Sequence, residues 1–92
     1  MKMEHVPGRD KGKIILFALS TCGWCGKTKD LLNKLGVEYS FVFVDLLPMD
    51  EREEAFTEMQ KYNPMGSFPT LVIDGRRVIV GYRVEEITGE LG

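Results

Sequence analysis

The chain's two cysteines, Cys22 and Cys25, stand two residues apart in Ser20-Thr21-Cys22-Gly23-Trp24-Cys25. An apolar run, Ile14-Ile15-Leu16-Phe17-Ala18-Leu19, leads into the pair, and Thr28, Leu31, Leu32 and Leu35 follow at helical spacing. A Cys-x-x-Cys at such a strand-to-helix junction narrows both the fold and the chemistry. The first backbone N–H groups of a helix have no intrahelical partner, and the helix dipole is positive there, so a thiolate at that end is stabilised. Cys22 is expected to cap the helix as the exposed, reactive sulfur. Cys25, one turn further in, is expected to be shielded but within reach of it. One thiol can then attack and the other resolve.

Three blander explanations of the pair compete with redox chemistry. A structural disulfide needs an oxidising compartment and gains little from closing so short a loop. A zinc site normally takes four ligands, and beyond the two cysteines the chain offers one histidine, His5, in a polar N-terminal stretch. Two inert core cysteines would leave the spacing to chance. Redox use is the favoured reading.

Composition bounds the remaining possibilities. At 92 residues the chain is read as one domain. With 43% hydrophobic residues and a net charge of −2, it has enough apolar material for a core and too little charge for disorder. Arg76-Arg77 is a lone basic pair, not a stripe for nucleic acid. The longest apolar run, 14–19, is too short to cross a bilayer. Met1 to His5 does not lead into a signal-peptide core. The expectation is a cytoplasmic, monomeric protein that binds neither nucleic acid nor membrane.

In chain order, residues 1–12 show no period and read as a flexible lead-in, with residues 13–92 as the domain. Lys13 to Leu19 reads as a strand buried on both faces. Trp24 to Leu35 reads as a helix stopped by Gly36. Glu38 to Val44 reads as a second strand. In 48–62, Ala55, Phe56, Met59 and Tyr62 recur at helical spacing, with Asp50 available as a cap. Leu71-Val72-Ile73 and Val78-Ile79-Val80 read as a hairpin joined by Asp74-Gly75. Val84, Ile87 and Leu91 suggest a short final helix. The order β-α-β-α-β-β-α implies an α/β fold, with a four-stranded mixed sheet flanked by helices and a parallel first strand pair.

Cys-Gly-Trp-Cys after a strand, Phe68-Pro69-Thr70 opening the third strand, the Asp74-Gly75 hairpin and Gly81 before the last helix resemble the glutaredoxins, the smallest redoxins of the thioredoxin fold. The resemblance spans about residues 13–92. It implies that Cys22 is the nucleophile, Cys25 the resolving thiol, and Pro69 a cis proline facing them. The preceding backbone would then pair with an incoming peptide or glutathione. Trp24 occupies the family's aromatic position and reads as a flat apolar platform, which Tyr82 could flank beside Gly81. Thr70 belongs to the same proline segment, and Phe68 reads as a core side chain within it. No tightly bound cofactor is implied beyond the redox-active Cys22–Cys25 disulfide.

The chain departs from the family in four places. Gly23 stands where proline often follows the first cysteine. Leu19 replaces a lysine that meets glutathione. Tyr82-Arg83 follows Gly81 where an acidic pair holds the glutathione amine. Leu16 occupies the position of a buried aspartate in thioredoxin-type redoxins. The resemblance therefore implies a dithiol oxidoreductase reducing protein disulfides or glutathione-mixed disulfides. Its electron donor is glutathione or, favoured by these departures, a dedicated disulfide reductase, and service to ribonucleotide reductase is one such role. A different class of function, also found in the family, is an iron–sulfur cluster carrier bridging two protomers through Cys22.

Overall fold

A computed structural model of the chain describes residues 2–92. Its elements are β1 (Glu4–Val6), β2 (Ile14–Ala18), α1 (Gly23–Leu35), β3 (Tyr39–Phe43), a 3-10 turn (Val44–Leu46), α2 (Met49–Gln60), β4 (Thr70–Ile73), β5 (Arg77–Val80) and α3 (Val84–Leu91). The apolar run before the cysteines forms the middle of the sheet, whose order is β1-β3-β2-β4-β5. β2 pairs parallel with β3 and antiparallel with β4, and β5 returns antiparallel to β4. This is the mixed sheet of the thioredoxin fold.

Because β2 is covered on both faces, its alternate side chains feed two cores. Ile14, Leu16 and Ala18 pack with Cys25 and Leu32 of α1 and with Ile87 and Leu91 of α3. Phe17, flanked by the partly buried Ile15 and Leu19, packs with Val42, Val44 and Val72 and with Ala55 and Met59 of α2. Fully burying side chains of this size contributes about 1.5–3 kcal/mol each.

The expected punctuation holds at most element ends. α1 begins after Cys22 and stops at Gly36, whose φ is 70°. Asp74 and Gly75 both take positive φ (55° and 66°), and the turn closes through the Arg76 N–H donating to the Ile73 carbonyl at 3.1 Å. α2 differs from expectation: Pro48, not Asp50, is its cap residue, and Asp50 and Glu51 lie in the first turn near the positive helix end.

The sheet has five strands where the sequence pattern indicated four. The additional strand lies in the stretch read as a flexible lead-in, where Glu4, His5 and Val6 pair antiparallel with Phe41, Ser40 and Tyr39. Three mostly exposed residues are too few to show a hydrophobic alternation, so this strand is held chiefly by backbone bonds. Beyond it, the Arg9 N–H donates to the Gly36 carbonyl and the Glu38 N–H to the Arg9 carbonyl, both at 2.8 Å. The His5 ring lies 2.7 Å from the Glu38 carboxylate. Among the described residues, no helix is long and apolar enough to cross a membrane.

Gly8 is where this segment crosses the chain after α1. A Cβ there would sit 2.6 Å from the Gly36 carbonyl oxygen and 2.6 Å from the Val37 carbonyl carbon, both backbone atoms with little freedom to yield. Gly8→Ala should lower unfolding stability by about 1–3 kcal/mol, the usual cost of overpacking. A urea titration of the variant against the parent protein measures it.

Candidate active site

The dithiol forms at the turn from β2 into α1. Cys22 has an extended backbone (φ −92°, ψ 116°), and its sulfur accepts from the Cys25 N–H at 3.2 Å, satisfying one of the unpaired donors at the helix start. The turn is closed by the Cys22 N–H donating to the Leu19 carbonyl at 3.3 Å. It is held from outside by Asp45, whose carboxylate accepts from the Ser20 N–H at 2.8 Å and from the Ser20 hydroxyl. These bonds keep the Asp45 carboxyl below the ordinary carboxylate range.

The two sulfurs have different surroundings, as the helix position implies. Cys22 is partly exposed. Cys25 is 1% exposed and sits in the apolar cluster with Leu16, Ala18 and Ile87. Burial pushes the Cys25 thiol up to about 12, assisted by its hydrogen bond to the Cys22 sulfur. Leu16, fully buried at the position where thioredoxin-type redoxins keep a carboxyl, brings only apolar surface to this cluster.

Beside the thiols lies a groove of about 320 Å³ lined by Trp24, Phe68, Pro69, Gly81, Tyr82 and Arg83. Trp24 is 60% exposed and stacks on Tyr82 with ring centroids 5.9 Å apart and planes 27° apart. The Lys27 ammonium lies 5.1 Å from the Trp24 ring centre, a cation–π contact that covers one side of the platform. The Phe68–Pro69 bond is cis. The Gly81 N–H donates to the Pro69 carbonyl at 2.9 Å, tying the two glycine- and proline-bearing loops together. Phe68 keeps its own N–H and carbonyl without a partner among the described residues.

Of the residues expected at the site, the structure gathers Trp24, Phe68, Pro69, Gly81 and Tyr82 around this groove. Phe68, read as core, is only half-buried. Thr70 is placed elsewhere: it is fully buried, and its hydroxyl donates to the Ser67 carbonyl at 2.8 Å and accepts from the Asn63 amide at 2.9 Å. As the first residue of β4, Thr70 turns its side chain into the protein and braces the proline loop. Asn63 completes the brace, donating also to the carbonyl and hydroxyl oxygens of Ser67, each at 3.1 Å. In the sequence Asn63 shows only as part of a helix-ending Asn63-Pro64 turn. A buried side chain that bonds residues four and seven positions on leaves no periodic trace.

An exposed sulfur at a positive helix end beside a shielded second thiol and an aromatic groove defines a thioredoxin-fold dithiol redox protein. The glutaredoxin family model matches residues 14–78. The glutaredoxin of Methanosarcina mazei Go1 is 48% identical with a TM-score of 0.90, over 100% of this chain and 89% of that one. Methanosarcina acetivorans methanoredoxin is 46% identical with a TM-score of 0.90, over 92% of this chain and 90% of that one. An uncharacterized glutaredoxin-like 8.6 kDa protein in the rubredoxin operon of Clostridium pasteurianum is 34% identical over 80% of this chain and 91% of its own length. The chain belongs to the glutaredoxin family and is a thiol–disulfide oxidoreductase.

The Cys25 environment has a consequence for alkaline stability. Unfolding returns the thiol to its ordinary value of 9.0, whereas the folded thiol ionises only near 12. Below pH 9 both states hold the proton and the group is neutral in the balance. Between 9 and 12 the unfolded chain loses it first, so folded stability falls as pH rises. The reduced protein should lose stability over this window more steeply than Cys25→Ser, read from urea midpoints at successive pH values.

Proposed function

We propose that the chain reduces disulfides of proteins, and mixed disulfides of proteins with glutathione, through two exchanges at Cys22 and Cys25. The Cys22 thiolate attacks one sulfur of the substrate, its S–S bond breaks, and the departing thiolate takes a proton from solvent. The Cys25 thiol then loses its proton and attacks the Cys22 sulfur. This forms the Cys22–Cys25 disulfide and releases the second substrate thiol. An external dithiol donor returns two electrons and two protons. The observation that carries this reading is the asymmetry of the pair: a partly exposed sulfur capping α1, and a buried one whose thiol is held up to about 12. A thiol held protonated in this way leaves Cys22 as the sulfur suited to attack first. The Phe68 backbone, open beside the groove, is suited to pair with an extended substrate segment.

The cluster-carrier alternative uses Cys22, which is partly exposed, together with glutathione on each of two protomers. Leu19 stands where glutathione needs a cation, which weakens that assembly, so the dithiol reading is preferred.

Cys22→Ser should abolish reduction of an insulin disulfide. Cys25→Ser should accumulate a mixed disulfide with the substrate, visible as an added mass under non-reducing conditions. Labelling of Cys25 ahead of Cys22 by a thiol alkylator near neutral pH would reverse the two roles.

Glutathione is the weaker donor in this reading. Its carboxylates need cations and its amine an anion. Leu19 brings an apolar side chain where a cation is needed, Arg83 brings a cation to the groove where the amine needs an anion, and the Glu86 carboxylate pairs with Arg77 at 3.3 Å. Each missing charge-assisted partner costs about 1–3 kcal/mol. Two such losses lower affinity by about two orders of magnitude, at about 1.4 kcal/mol per tenfold. The oxidised protein should therefore be reduced more slowly by millimolar glutathione with its reductase than by a flavin disulfide reductase. Fast turnover saturating at low-millimolar glutathione would restore glutathione as the donor.

A further inference from the structure

A second hollow of about 500 Å³ opens on the α2 face of the sheet, lined by Leu19, Val44, Asp45, Arg52, Glu53, Phe56, Thr57 and Phe68. We propose that it is a specificity pocket for a large apolar side chain standing two residues from the target cysteine on an extended disulfide substrate. The inference rests on the exchange reaction proposed above and adds which substrates it prefers.

Two observations and the geometry of an extended chain place this occupant. Phe68 lines both the dithiol groove and the hollow, so the two lie side by side and share that wall. Leu19, on the opposite wall, accepts the Cys22 N–H through its carbonyl at 3.3 Å, which keeps the hollow one tight turn from the reactive sulfur. An extended segment pairing with the open Phe68 backbone repeats its side-chain direction every two residues, about 6.6 Å along the chain. A residue two places from the cysteine under attack therefore faces the same side and reaches the next depression.

The chemistry of the walls selects what can enter. Leu19, Phe56 and Phe68 are all left half-buried, and Phe56 and Phe68 face each other with centroids 6.3 Å apart. The Phe56 ring takes its place because residue 66 is glycine: a Cβ there would lie 2.7 Å from Phe56 Cζ. The charged groups at the rim are largely committed. Asp45 holds Ser20, and the Arg52 guanidinium donates to the Asp45 and Leu47 carbonyls, each at 3.2 Å. Glu53 adds negative charge at the mouth. A free carboxylate meets an apolar floor and a rim where Asp45 and Glu53 outweigh the single cation Arg52, whereas a leucine or an aromatic ring gains burial on several sides.

The test uses short peptides with one cysteine in mixed disulfide with thionitrobenzoate, and glycine, aspartate or leucine in turn two positions before or after it. Attack of the Cys22 thiolate on the peptide sulfur forms the Cys22–peptide disulfide and expels coloured thionitrobenzoate. Cys25 then releases the peptide thiol. On one flank, the leucine peptide should react about tenfold faster than the glycine peptide, with aspartate slowest. Leu19→Lys and Phe56→Ala should each bring the leucine-to-glycine ratio close to one, a ratio taken within each variant. Leu19→Lys should also raise the aspartate peptide relative to glycine. Equal rates for all peptides with the parent protein overturn the pocket and leave the exchange reaction standing. A leucine preference that survives in both variants also overturns it. No release from any peptide overturns the exchange reaction and this inference together.

Discussion

The contact from the Cys25 N–H to the Cys22 sulfur, 3.2 Å long, is the one on which the rest of the site depends. It makes a cysteine the cap of a helix, where serine, threonine or aspartate would ordinarily stand. A sulfur serving this purpose is already directed at backbone donors, and negative charge developing on it meets partial positive charge without rearrangement. The same bond sets the second cysteine one turn inside α1, where the sheet and α3 close over it. A fold that offered the helix end but not the covering layers would give two similar thiols. The difference between them is the product of tertiary packing acting on a local motif.

β2 distributes this arrangement across the molecule. Its residues alternate between the layer containing α1 and α3 and the layer containing α2. Ala18 therefore closes the chamber around Cys25, while its neighbour Leu19 turns the other way and becomes a wall of the apolar hollow. One strand end supplies both the environment that makes the Cys25 thiol reluctant to ionise and a wall of the hollow.

Local features were readable from the residues themselves. The apolar run, the helix beginning after Cys22, the stop at Gly36 and the Asp74-Gly75 turn each depend on residues adjacent in sequence, where conformational preference is strong. Features built from distant residues were not. β1 has three residues and no alternation, so its pairing with β3 leaves no mark in composition. Thr70 was expected at the groove because of its neighbour Pro69, but the parity of β4 directs its hydroxyl inward to Asn63. The hollow joins positions 19, 44, 56 and 68, which four different segments bring together. In the sequence Leu19 stood out only as an apolar residue where a cation is usual in the family, which bore on the electron donor and gave no sign of a hollow.

The two outer strands each limit pairing of the sheet with a second copy of the chain. An exposed strand margin is a template for uncontrolled pairing between molecules. Here β1 closes the margin of β3 with a three-residue strand bearing Glu4 and His5. On the far side, Arg77 of β5 is held by Glu86 and Glu90 of α3 at 3.3 and 3.2 Å. Short length at one border and bound charge at the other discourage a second copy from adding a strand. In the proposed exchange the unpaired Phe68 backbone beside the groove offers a docking rail of a single residue. Under that proposal one residue is long enough to seat a segment whose disulfide is about to be cut and too short to nucleate a growing sheet.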